Sequence, residues 1–294
     1  MHPLTARRPR ADRPLLSPEQ LCERLPDALR CFTFSVVSAM DELRDAAHLV
    51  YREYLRRGYM GPNHAQLKLT IFHALPETAV FVAKDPAGHV VGTLTLIPDS
   101  PLGLPMDGAY REELNTLRAG GQRLAEASML ALDGQVLRRA GLPIFRAATQ
   151  AVTLQLFKVM FDYLRARTPT TELAACFHPR HEVLYDWLQL QPLGGRKPYA
   201  LANGRPAVAR HLNVRMTERL ATQVPVIGFF YGPARPYPQA HKLMLRPEHL
   251  EELFVRTTTV FATTSSAALA HVLSRYPAGT LSDRLPDALH TSAA

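Results

Sequence analysis

From residue 31 onward, apolar and polar positions alternate between the period of a strand and the period of a helix. Residues 31–37 are rich in aromatic and β-branched side chains and predict a first strand. Ser38, with Asp41 three residues on, resembles a capping box. Leu43, Ala47, Val50 and Tyr54 then recur at helical spacing, and Gly58 suits the end of that helix. Residues 79–84 and 90–97 predict two strands joined by Asp85-Pro86-Ala87-Gly88, where proline presets one dihedral and glycine accepts a positive one. A loop is expected over 98–105, then a short polar helix over 110–119 that Gly120-Gly121 breaks. Residues 122–132 are read as a central strand; their alanines and leucines also suit a helix, so their neighbours decide. Residues 152–164 are apolar almost all round, the pattern of a buried helix. A short strand (173–177), a helix (181–190) and a strand (206–212) follow. A further helical region covers 247–276, where Leu250, Leu253, Phe254 and Phe261 need burial.

This order of elements implies an α/β fold: a mixed sheet with helices on both faces, plus a C-terminal helical appendage. The expected division is an N-terminal arm and short helix (1–30), an α/β domain (31–213), a helical region (214–276) and a flexible tail (277–294). Ser17 and Pro18 suit the start of the short helix, which Pro26 shortens or kinks. The hexapeptide Arg-Leu-Pro-Asp-Ala-Leu occurs at 24–29 and 284–289, too far apart to mark a repeat architecture.

Composition narrows the function classes. Of 294 residues, 47% are hydrophobic and 20% charged, which excludes wholesale disorder. No apolar run reaches the roughly 20 residues of a membrane helix, and no apolar core follows Arg7, Arg8, Arg10 and Arg13. The protein is therefore expected in the cytoplasm. Cys22, Cys31 and Cys176 have neither disulfide-framework nor zinc spacing, so they are read as reduced. The net charge of +8 favours an acidic partner, yet no nucleic-acid module is present. His178 and His181 lack a third ligand and suit turn or cap roles, so no metal site is expected. Serine-hydrolase, Walker and dinucleotide fingerprints are absent.

Three segments carry a resemblance. The first runs Val91-Gly92-Thr93-Leu94-Thr95-Leu96-Ile97-Pro98-Asp99-Ser100-Pro101-Leu102-Gly103-Leu104-Pro105. The second is Arg123-Leu124-Ala125-Glu126-Ala127-Ser128-Met129-Leu130-Ala131-Leu132. The third is His178-Pro179-Arg180-His181, with Leu184-Tyr185 and Leu190-Gln191-Pro192-Leu193-Gly194. Their order and spacing over 32–212 resemble the N-acyl amino acid synthases, relatives of the acyl-homoserine-lactone autoinducer synthases in the GNAT acyltransferase superfamily. The resemblance implies a GNAT-like fold and transfer of a long-chain fatty acyl group from acyl carrier protein to the amine of an amino acid or similar small amine. It implies no tightly bound cofactor: the carrier-protein thioester is the donor substrate, lying where two central strands splay apart. Exposed backbone groups of the central strand would hydrogen-bond the pantetheine arm.

The resemblance also assigns roles. Glu126 occupies the strand-glutamate position and would take the ammonium proton, directly or through water; an exposed or ion-paired glutamate is the competing reading. Ser128, two residues on and on the same side of a regular strand, would orient substrate or hydrogen-bond Glu126. Met129 stands where the autoinducer synthases usually carry arginine, which disfavours lactone synthesis and leaves the acceptor's carboxylate without an obvious partner. With Leu130, these two residues complete the expected substrate-binding set. Tyr185 would protonate the departing thiolate, or pack as an ordinary aromatic against the sheet. The segment from Asp133 to Gly141 lacks the glycine spacing that cradles a pyrophosphate, which disfavours coenzyme A. Arg138, Arg139 and Arg146 are candidates for the carrier's phosphate or its acidic helix. A non-catalytic acyl-ligand or carrier-binding module on the same fold is the alternative. The helical region at 247–276 would cover an acyl tunnel or mediate dimerisation.

Overall fold

A computed structural model describes residues 31–139, 145–221, 228 and 241–277. The N-terminal arm and its helix, Cys22, both hexapeptide copies and nearly all of the C-terminal tail lie outside the described residues.

Among the described residues, seven strands form one sheet in the order β1-β2-β3-β4-β5-β7-β6. They are β1 (Thr33–Val36), β2 (Ala79–Lys84), β3 (Val90–Pro98), β4 (Leu124–Leu132), β5 (Glu172–Phe177), β6 (Gln191–Tyr199) and β7 (Arg205–Asn213). Only β4 and β5 run parallel; every other pair is antiparallel. Helices cover both faces, as the alternation implied. On one face α1 (Met40–Arg56) packs Leu43, Ala46 and Ala47 against Val80 and Val82. On the other, Phe81 and Ala83 meet Phe157, Met160 and Phe161 of the long helix α4 (Phe145–Arg167). With both faces buried, β2 and β3 read as nearly continuous apolar runs.

Among the described residues, further helices of the α/β domain are α2 (Asp107–Ala119), the short α3 (Gly134–Arg139) and α5 (Glu182–Trp187), and α6 (Val214–Leu220) at its end. In the C-terminal region α7 (Pro247–Leu250) runs into a π-helical turn (Glu251–Thr257), and α8 (Ser266–Leu273) follows. Leu250, Leu253, Phe254 and Phe261 are fully buried there, in one apolar cluster with α1 and β2. They find their burial against the chain's own sheet.

Three details differ from expectation. The helix starts at Met40, so Asp41 lies in its first turn and Glu42 instead takes the Ser38 N–H (2.8 Å) and hydroxyl (3.2 Å). The helix expected over 181–190 is a 3-10 turn (Pro179–His181) followed by α5, and Gln189 stops it at a φ of 60°. Strand β6 was not anticipated, because Pro192, Gly194, Gly195 and Pro198 break any strand pattern; at a sheet edge with one neighbour, missing donors are tolerated.

Candidate active site

The loop after β3 exists to reach Glu126. Gly103 turns it at a φ of 71°, and Asp107 accepts the Leu104 N–H at 2.6 Å. Arg118 clamps both ends, bonding Asp107 (2.8 and 2.7 Å) and Asp99 (2.6 and 3.0 Å). So held, Met106 donates its backbone N–H to Glu126 Oε2 at 2.8 Å. The aspartate, glycine and leucines of the first motif are thus the parts of a cradle for one carboxylate.

Glu126 lies on β4 and is only 1% exposed. Burial pushes its carboxyl up to about 8; bonds from Met106 and Ser128 pull the other way, and the nearby Asp107 charge adds to the rise. Glu126 is not among the residues lining the two cavities at this site. Ser128, two residues on, whose hydroxyl stabilises the Glu126 charge, lines two cavities at once.

The strand breaks its own alternation here. Thr95 pairs with Ser128, but Thr93 pairs with Ala131, so β4 carries one extra residue. Met129 absorbs it at a φ of 56°. Ala125 and Ala127 face α4, as do Leu130 and Leu132, whereas Met129 and Ala131 pack against Leu49 and Val50 of α1. Just before the bulge, the parallel register with β5 ends at Ala127↔Ala175. Beyond that point the two central strands part.

A cavity of about 450 Å³ fills the gap, a size common for small-molecule sites. The stretch from Ala127 to Leu132 lines one side, with Cys176, Phe177, Leu184 and Tyr185 opposite. Tyr185 is 4% exposed, stacked on Phe177 at 3.5 Å and edge-on to Phe157. Burial raises its phenol far above the usual value. Arg56, Arg57 and Arg180 also reach this cavity; Arg56 and Arg57 share Glu53, while Arg180 lies over the Tyr59 ring. A smaller cavity of about 80 Å³ continues past the bulge, between Tyr54, Tyr59, Lys68, Ser128, Tyr199 and Arg205.

The structure therefore brings Ser128, Met129, Leu130 and Tyr185 together on cavity walls and buries Glu126 nearby on the same strand. The side chains of Arg138, Arg139 and Arg146 lie outside the described residues. His178 caps the turn Pro179–His181, its Nδ1 accepting the Arg180 N–H at 3.2 Å. Among the described residues no group of three or more His, Cys, Asp or Glu is placed to hold a metal, and no helix is long and apolar enough to cross a membrane. No described residue of the C-terminal region lines either cavity.

Asp133, at the end of β4, caps α3: its Oδ1 accepts the N–H groups of Gln135 (2.9 Å) and Val136 (3.0 Å), while Oδ2 pairs with Arg52. Amides free to meet a ligand phosphate in a glycine-rich loop are here bound to the chain's own carboxylate. Sequence reasoning missed Met106, Tyr54, Tyr59, Lys68 and Arg205. None belongs to a motif; Tyr54 carried only a helical-spacing signal.

The sequence matches the profile of the N-acyl amino acid synthase FeeM family over residues 45–213. Among solved structures, the N-acyl amino acid synthase FeeM from uncultured soil microbes is 27% identical, covering 66% of this chain and 97% of its own, with a TM-score of 0.55. The AHL synthase LasI is 16% identical (62% and 89% covered, TM-score 0.46). The CoA-dependent acyl-homoserine lactone synthase BjaI is also 16% identical (67% and 90%, TM-score 0.48). No curated protein matches the sequence.

Proposed function

The chain belongs to the N-acyl amino acid synthase family and is an N-acyltransferase of GNAT-like fold, and we propose that it moves a long-chain fatty acyl group from acyl carrier protein to an amino acid. The larger cavity takes the acyl thioester and the smaller one the amine, so the two meet at the β4 bulge beside Ser128. The observation that carries this reading is Glu126: a buried carboxylate of near-neutral proton affinity, two residues from Ser128, which lines both cavities.

The ammonium of the acceptor gives a proton through the Ser128 hydroxyl to Glu126. A carboxyl raised to about 8 lies far nearer the range of an amine than an ordinary carboxyl does, so it takes the ammonium proton at lower cost. The freed amine attacks the thioester carbon, the C–N bond forms and the C–S bond breaks. As they do, the nitrogen loses its second proton and the sulfur gains one. Tyr185 on the larger cavity's wall relays it: the phenol gives its proton to the sulfur as it takes the nitrogen's second proton, so it ends protonated, as its raised proton affinity favours. The Asp133 cap favours a carrier-protein donor over coenzyme A, because the carrier presents one phosphate and asks for no pyrophosphate cradle.

Purified protein, fatty-acyl carrier protein and a panel of amino acids should yield N-acyl product by mass spectrometry, and Glu126→Gln should lose it. Tight carrier binding with no amide formed from any amine would identify the binding-module alternative instead.

A further inference from the structure

Building on that acyl-transfer reading, we infer that Lys68, with Arg205 at the rim, holds the carboxylate of an α-amino-acid acceptor in the smaller cavity. Both side chains line that cavity, and neither makes a hydrogen bond or ion pair among the described residues. The Tyr59 hydroxyl lines the same cavity, is buried, and also has no partner. Three residues that carry donor groups thus line one small cavity, and none of those groups has an acceptor among the described residues. Met129, on the same wall, supplies no charge.

Burial draws the Lys68 ammonium below its usual value, and no carboxylate lies close enough to offset that. A half-buried cation without a counter-ion is costly; an anionic ligand removes the cost when it binds. The placement is also built. The Lys68 backbone N–H donates to Ala47 O at 3.0 Å, which ties its segment to α1. Across the cavity, the turn between β6 and β7 docks on the end of α1. Asn203 Nδ2 lies 3.5 Å from Gly58 O, and the Arg205 guanidinium lies so near that a Cβ at Gly58 would meet it at 3.0 Å.

The cavity's charges complement a zwitterion. Ser128 and Glu126 offer a route for the ammonium proton, and Lys68 and Arg205 offer cations for the carboxylate. Tyr54, Pro105, Tyr199, Leu201 and Pro206 make up much of the remaining wall, so an apolar amino-acid side chain fits it best.

Each standard L-amino acid and its carboxamide serve as probes, in turnover with fatty-acyl carrier protein and in calorimetric binding to the full chain. Wild type should prefer the acid. Lys68→Met should raise KM for the acid by about tenfold or more, from the strength of a hydrogen bond to a charged group, and leave kcat and the amide's KM nearly unchanged. Lys68→Arg should restore much of the preference, and thermal melts confirm that the variants fold. If Lys68→Met forms product with the same acid-over-amide preference as wild type, this assignment falls and the acyl-transfer reading stands. If acid binding depends on Lys68 but no amine is ever acylated, the carboxylate site stands and the acyl-transfer reading falls.

Discussion

The Met106 backbone N–H donates to Glu126 Oε2 across 2.8 Å, from a loop that Arg118 pins to Asp99 and Asp107. Only neutral groups, the Met106 N–H and the Ser128 hydroxyl, steady this carboxylate among the described residues. Among the described residues no cation pairs with it, so burial decides its proton affinity and raises it to about 8.

Activity should follow that value. The dependence of kcat/KM on pH should rise through a limb near 8 rather than near the ordinary glutamate value of 4.5. Glu126→Gln should lower kcat by ~10²-fold or more, the usual loss when a general base is removed. A profile already flat above pH 6, or an unimpaired Gln variant, would rule out Glu126 as the proton acceptor.

Stability should move in the opposite direction. Below 4.5 the group is protonated in both states; between 4.5 and about 8 the unfolded chain releases the proton and the folded one keeps it. Folding stability therefore declines as pH rises through that window, by about 1 kcal/mol per unit from this group alone. Glu126→Gln lacks the term. Its advantage in urea midpoint over wild type should grow from pH 5 to pH 8, and parallel curves would contradict the burial argument.

Donor choice has its own handle in Asp133. Its carboxylate occupies the Gln135 and Val136 amides and pairs with Arg52. Asp133→Ala frees two amides and one arginine for a phosphate, at about 1 kcal/mol of stability for the lost cap. Coenzyme A binding, followed by calorimetry, should strengthen several-fold in the variant. Unchanged affinity would show that the loop excludes the cofactor for another reason.

How far these features could be read from sequence depended on how local their causes were. The β2–β3 hairpin was legible nearly to the residue because Pro86 and Gly88 set its turn by themselves. The splay of β4 from β5 was legible only through resemblance, and the bulge that accompanies it was not legible at all. Met129 adopts a positive φ that methionine seldom takes, and only the pairing of Thr93 and Thr95 with β4 reveals it. Glu126 was legible as a site residue, yet its distance from the cavity wall was not, since that depends on the loop folded over it. Lys68 and Arg205 were silent because irregular segments bring them together, and no periodicity records such a meeting.

Gly194 closes the third motif for a steric reason. A Cβ there would lie 2.6 Å from Tyr110 Cδ1 and 3.0 Å from Glu113 Oε1. Tyr110 cannot yield: it is wholly buried, and its hydroxyl donates to Ala207 O at 2.7 Å with Gly195 O at 3.0 Å. Gly194→Ala should cost about 1–3 kcal/mol, as overpacking of a tight contact does. Gly195→Ala is the control, because nothing lies within 4 Å of its added Cβ. The same ring anchors β6 and β7, whose connecting turn carries Tyr199 and Arg205 to the smaller cavity. Gly194→Ala should therefore also raise KM for the acceptor more than for the acyl donor, while Gly195→Ala changes neither. Equal melting temperatures for the two variants would show that β6 slides past Tyr110 freely and that this anchor does not shape the cavity.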